Sequence, residues 1–123
     1  MSRMYSEKLV LEVIAAKHHW EVVSPPALTG RSGVTHRFDF VANNGQEKLV
    51  FDIFEGLSEN DVIKTFIKKY DTGTSAYIIC LGDMMERGAV ELAREYGMKI
   101  LRSGSVESDF TTKEIQPVSY PSN

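Results

Sequence analysis

The stretch from Gly30 to Gly56, GRSGVTHRFDFVANNGQEKLVFDIFEG, constrains this chain more than any other. Two runs rich in β-branched and aromatic residues, Val34 to Ala42 and Lys48 to Phe54, flank Asn43-Asn44-Gly45, a turn signal that predicts a β-hairpin. Each run carries one acid in its middle, Asp39 and Asp52. Strands deplete aspartate, and burying an unpaired carboxylate is costly. Two of them on adjacent strands therefore call for an explanation: a metal ion held between them, or a pair of solvated or salt-bridged carboxylates. Alternation puts His36, Phe38 and Phe40 on one face of the first strand, and Arg37, Asp39 and Val41 on the other. On the second strand Val50, Asp52 and Phe54 share a face, opposite Leu49, Phe51, Ile53 and Glu55. Both faces are partly apolar, the pattern of a central strand with helices above and below. The two acids meet on one face only in some registers, and the sequence leaves the register open.

The flanking segments supply those helices. Ser6 to His19 has helical periodicity, with Val10, Leu11, Val13 and Ile14 on one arc. Glu7 falls inside that arc, either as a first-turn acid favoured by the helix dipole or as a carboxylate reaching toward a site on the sheet. Trp20 to Ser24 reads as a short strand, closed by Pro25-Pro26. Ala27 to Gly33 reads as a loop, in which Arg31 and Ser32 sit between Gly30 and Gly33. Such a loop either cradles a phosphate through backbone N–H groups or is a plain connection; the GxxxxGK[ST] pattern of a P-loop is absent.

Ser58 is placed to cap a helix running to about Tyr70, with Val62, Ile63, Phe66, Ile67 and Tyr70 as the expected buried stripe. Lys64 and Lys68 project opposite that stripe, and Lys69 flanks it. Ser75 to Leu81 is an apolar strand, Met85 to Tyr96 a helix ended by Gly97, and Lys99 to Leu101 a last strand, together a parallel crossover. From Arg102 on the chain is polar and aperiodic, so the domain is expected to span 1–102 and a disordered tail 103–123. The expected fold is α/β: one domain with a mixed central sheet flanked by helices, in the order αβββαβαβ.

Composition narrows the function classes. A length of 123 residues suffices for one domain with a core, not two. A formal net charge of −3 gives no global pull toward nucleic acid, so any such contact must rest on a local basic patch. The single cysteine, Cys80, excludes an internal disulfide and a cysteine-built zinc cluster, which fits a reducing cytoplasm. No apolar run approaches the ~18 residues of a membrane span, and Met-Ser-Arg-Met-Tyr lacks a signal peptide's apolar core.

Taken together, the segments resemble the restriction-endonuclease-like fold of the PD-(D/E)XK nucleases, and most of all the archaeal Holliday-junction resolvases and Mrr-type restriction domains. The resemblance runs from about Tyr5 to Leu101. YSEKLVLEVIAAKHHWEVV is similar to the first helix and strand, SGVTHRFDFVA to the strand bearing the first acid, and KLVFDIF to the (D/E)XK strand. AYIICLGDMMERGAVELAREYGMKIL is similar to the strand-helix-strand that closes Mrr-type domains. The resemblance implies that Asp39 and Asp52 hold a divalent metal, usually Mg²⁺, that Glu7 matches the helix-one glutamate of the resolvases, and that the substrate is nucleic acid, DNA more than RNA.

One position departs from the pattern. The motif lysine, two residues after the acid, is Phe54 here. A phenyl ring can neither position a water nor stabilise charge on a transferring phosphate. Arg37, on the face of Asp39, is a candidate replacement cation, standing in for the metal rather than for the lysine.

Three readings remain open from the sequence. A degenerate nuclease domain would bind nucleic acid or a partner in DNA metabolism without efficient cleavage, with Arg31, Arg37, Lys64, Lys68 and Lys69 as candidate contacts. An active Mg²⁺-dependent endonuclease would need its lysine to have migrated to Lys64, Lys68 or Lys69; orientation favours Lys69. A protein-interaction module would have no nucleic-acid role. The family often dimerises, and Trp20, Met84 and Met85 would furnish an apolar interface for a homodimer.

Overall fold

The computed structural model describes residues 3–104 and 106. Of the expected tail, 107–123 lies outside the described residues. Three helices, α1 (Arg3–Lys17), α2 (Glu59–Thr72) and α3 (Arg87–Glu95), flank a sheet built from β1 (Glu21–Val22), β4 (Phe40–Asn43), β5 (Lys48–Phe54), β6 (Ser75–Cys80) and β7 (Lys99–Arg102). Between β1 and β4 a separate ribbon pairs β2 (Ala27–Thr29) with β3 (Thr35–Arg37). The five-stranded order is β1-β4-β5-β6-β7. Pairing is antiparallel from β1 to β5 and parallel from β5 to β7. The single α/β domain with a mixed sheet expected from the sequence is the fold observed.

The centre of the sheet is β5, which is paired along both edges and alternates between two cores. Leu49, Phe51 and Ile53 face α1, where Leu11, Ile14 and Ala15 close over Phe40, Tyr77 and Ile79. Phe51 stacks on Tyr77 with ring centroids 5.0 Å apart and meets Phe40 edge-on at 5.8 Å. On the other face Val41, Val50 and Ile78 pack under Val62 of α2 and Ala89 and Ala93 of α3. Phe66 and Tyr96, stacked at 4.1 Å, join α2 to α3. The start of α2 is fixed by a capping box: Ser58 Oγ accepts the Asp61 N–H, and Asp61 Oδ2 accepts the Ser58 N–H. Its end is fixed by Gly73, which adopts φ 66° and donates its N–H to the Lys69 carbonyl.

Several expectations are corrected. The run Val34 to Ala42 is not one strand: it breaks at Phe38-Asp39, and its first part turns away to pair with β2, in what read as a loop. Alternation is lost at the break, so Phe38 joins the α2/α3 core while Phe40 lies under α1. On α1, Val13 is exposed and Ala15 takes the inward place.

On α2 the expected stripe is displaced. Ile67 and Tyr70 are 54% and 68% exposed, whereas Thr65, a polar residue, is buried. Trp20 and Met85 pack partly buried against the two cores, which leaves Met84 as the exposed member of the expected interface. Packing also continues past Arg102: Ser103 is bonded to α1, and Val106 is buried in the α1 core. Among the described residues, no helix is long and apolar enough to cross a membrane.

Candidate active site

The hairpin register decides where the two strand acids go. Phe40 pairs with Phe51, so Asp39, the residue before β4, lies opposite Asp52. The Asp39 N–H donates to the Phe51 carbonyl at 3.0 Å. Asp39 Oδ2 accepts the Ile53 N–H at 2.7 Å, which pins the first carboxylate across the end of the second strand. Both acids line one open cleft of about 500 Å³.

Asp52 is 5% exposed, and α2 supplies what its carboxylate needs there. Thr65 Oγ1 donates to Asp52 Oδ2 at 3.0 Å, and Lys68 Nζ lies 2.8 Å from the same oxygen. Lys68 also donates to the Arg37 carbonyl at 2.7 Å and sits 4.6 Å above the Phe38 ring. A buried acid draws polar partners, so the inward arc of α2 runs from Val62 through Thr65 to Lys68 rather than along its most apolar residues.

Asp39 is less well supplied. Burial pushes its carboxyl above the ordinary 3.8; the Ile53 N–H pulls it back, the charge of Asp52 pushes it further up, and Lys8 and Lys68 oppose the rise. Two facing carboxylates, one of them reluctant to ionise, form an oxygen-only donor set. That set suits a hard cation such as Mg²⁺, which takes one or two protein carboxylates and fills its remaining positions with water and substrate oxygens. The bonds to Asp52 converge on Oδ2 and the bond to Asp39 is on Oδ2. Among the described residues no cluster of three or more His, Cys, Asp or Glu exists to compete for one.

The other expected site residues divide. Arg37 and Lys64 line the cleft with Lys68. The ammonium at Asp52 belongs to Lys68, so Arg37 is not the replacement cation expected from its strand face; the bend at Phe38-Asp39 undoes the alternation on which that expectation rested. Lys69 lies outside the cleft, and the lysine that reaches Asp52 is Lys68, expected from the sequence to face away. Glu7 also lies outside the cleft: it is buried beside the α1 core, and its Oε2 accepts Ser103 Oγ at 2.6 Å. The next residue, Lys8, a turn of about 100° further round the helix, lines the cleft in its place.

Lys8 and Thr65 were missed in the sequence. The available signal for Thr65 was its spacing of three from Val62, which sets it on the same arc.

Arg31 belongs to a different structure, a clasp between the ribbon turn and the end of α2. Asp71 Oδ1 accepts the Ser32 N–H at 3.0 Å, while Ser32 Oγ and His36 Nε2 each lie 2.7 Å from Asp71 Oδ2. The Arg31 N–H donates to the Asp71 carbonyl, and the Arg31 guanidinium lies 5.9 Å from the Tyr70 ring. The Ser32 side chain, His36 and the Ser32 N–H hold the Asp71 carboxyl at about 2. Both Ser32 and His36 point at the carboxylate rather than at each other, so this is not the geometry of an activated serine. The phosphate-cradle reading of the loop is set against the same bonds: the Arg31 and Ser32 N–H groups are spent on Asp71. The clasp holds the ribbon, whose last residue, Arg37, forms one side of the cleft with the flanking Pro26 and Phe38.

No family model and no curated protein matches this chain. In three dimensions it is similar to the crystal structure of a repair endonuclease from Pyrococcus abyssi, with a TM-score of 0.50 and 13% identity, covering 78% of this chain and 46% of that one. The chain thus spans less than half the length of that structure. The likeness is one of fold: a single α/β domain with a mixed five-stranded sheet and three helices.

Proposed function

We propose that the cleft hydrolyses phosphodiester bonds of nucleic acid, DNA more than RNA, in a Mg²⁺-dependent reaction. Asp39 and Asp52 hold the ion, and Lys68 takes the role left open by Phe54. The observation that carries this reading is the Lys68 ammonium 2.8 Å from Asp52, on the acid that faces Asp39 across the hairpin. Fold similarity to a repair endonuclease supports the same class of reaction.

When bound, Mg²⁺ supplies Lewis acidity toward a phosphoryl oxygen. Lys68 has three N–H donors; Asp52 and the Arg37 carbonyl take two, which leaves the third for the charge that develops on the phosphate. Thr65 keeps Asp52 oriented while the ion is held. Arg37, Lys64 and Lys8 attract flanking phosphates, a local basic patch on a chain of net charge −3.

The same ion pair favours a second reading, in which Lys68 neutralises Asp52 in place of a metal and the domain binds nucleic acid or a protein partner without cutting it. Incubating the full chain with labelled oligonucleotides in Mg²⁺, Mn²⁺ or EDTA separates the two. Metal-dependent cleavage is expected, falling by about 10²-fold or more in each of Asp39→Ala, Asp52→Ala and Lys68→Met. Cleavage that survives Asp39→Ala overturns the proposal, and salt-dependent binding without any cleavage in either metal selects the second reading.

A further inference from the structure

We infer that the cleft takes an unpaired nucleotide, whose base lies on the Phe54 ring while its phosphate reaches the aspartates. The inference rests on the phosphodiesterase reading and adds the class of strand. Three observations carry it.

Asp52 lies deep, 5% exposed beneath Thr65 and Lys68. A phosphate must enter the cleft to approach it, and about 500 Å³ is the size of a small-ligand site, room for a single nucleotide. The walls are apolar on both sides: Phe54 on the β5 side, and Pro26 with Phe38 on the ribbon side. The rim is cationic, with Arg37 and Lys64 both exposed. Rings within and cations around are the parts of a single-strand site, where bases stack on aromatic faces and the backbone tracks basic side chains.

The position of the ring is specific. Phe54 follows Asp52 by two residues on the same strand face, about 6–7 Å along. That is the reach of a sugar between a phosphate and its base. In a duplex both faces of each base are covered by its neighbours; only an unstacked base has one free for Phe54. The side chain that replaces the motif lysine thus acts as a specificity residue.

Fluorescence anisotropy on the full chain in Ca²⁺ tests this with three labelled DNA probes: a mixed-sequence single strand, the same strand in a duplex, and a strand of abasic sugars. The single strand is expected to bind about tenfold or more tighter than the duplex. Phe54→Leu, which keeps an apolar side chain against the core, is expected to weaken single-strand binding by at least about fivefold and to leave the duplex and abasic probes unchanged. Phe54→Trp is expected to retain binding. Thermal melts by circular dichroism check that the variants fold.

Equal affinity for single strand and duplex overturns the inference, as does a Phe54→Leu loss that is the same on the abasic strand. The two proposals fail separately. Duplex cleavage that needs Asp39 and Lys68 but ignores Phe54→Leu sinks the inference alone. A Phe54-dependent preference for single strands without metal-dependent cleavage sinks the phosphodiesterase reading alone.

Discussion

In the clasp, Asp71 takes hydrogen bonds from the Ser32 N–H, the Ser32 hydroxyl and His36, and its carboxyl is held down at about 2. In the cleft, Asp39 takes the Ile53 N–H, and burial together with the charge of Asp52 pushes its carboxyl up. The same side chain is saturated in one place and under-supplied in the other. A saturated carboxylate is content as it stands and serves to hold chain segments together. An under-supplied one stores a demand for positive charge that a proton or a cation meets, which is how perturbed acids come to mark functional sites.

The comparison breaks most visibly at Gly30. A Cβ there would fall on the Asp71 carboxylate and its carbonyl, so Gly30→Ala must push the clasp apart. A loss of about 1–3 kcal/mol in urea unfolding is expected, by overpacking. An unchanged midpoint would mean that the ribbon turn is not tightly held.

The next effect is on acid stability. The Asp71 carboxyl lies below the ordinary 3.8, so its contribution is complete above that value and is lost as pH falls from 3.8 toward about 2. Asp71→Asn is expected to flatten that limb of the stability-against-pH curve, read from thermal melts between pH 2 and 5. A limb as steep as in the wild type would assign the acid sensitivity to other groups.

The smallest effect has the opposite sign. The Asp39 carboxyl lies above 3.8, so its contribution is present at low pH and is lost as pH rises through the raised value. Without added metal, Asp39→Asn is expected to be at least as stable as the wild type at neutral pH, and to lose stability relative to it as the medium is acidified. A variant less stable than the wild type at neutral pH would show that Asp39, like Asp71, is there to hold the fold.

The fold was largely legible because its signals are local. Lys48–Phe54 was readable to the residue from alternation and the Asn43-Asn44-Gly45 turn, and Ser58 announced α2 by its capping chemistry. The pairing of Asp39 with Asp52 was legible as a possibility, and one register made it real.

What stayed hidden depends on tertiary context. The ribbon was unreadable because Ala27–Thr29 has no alternation of its own and becomes a strand by pairing with Thr35–Arg37 under the hold of Asp71. The inward face of α2 was misread because counting apolar side chains assumes an apolar partner. The sheet face below it carries Asp52, so Thr65 and Lys68 turn in while Ile67 and Tyr70 turn out. A helix over a buried acid is not amphipathic in the ordinary sense.

One feature of α2 ties the two regions together. Lys68 and Asp71 stand three residues apart on this helix: Asp71 grips the ribbon at Ser32 and His36, and Lys68 grips it again at the carbonyl of Arg37, the residue after His36. The ribbon cannot lift from the helix without pulling that carbonyl off the ammonium next to Asp52. Opening the outer latch and unbalancing the charge within are, mechanically, a single movement.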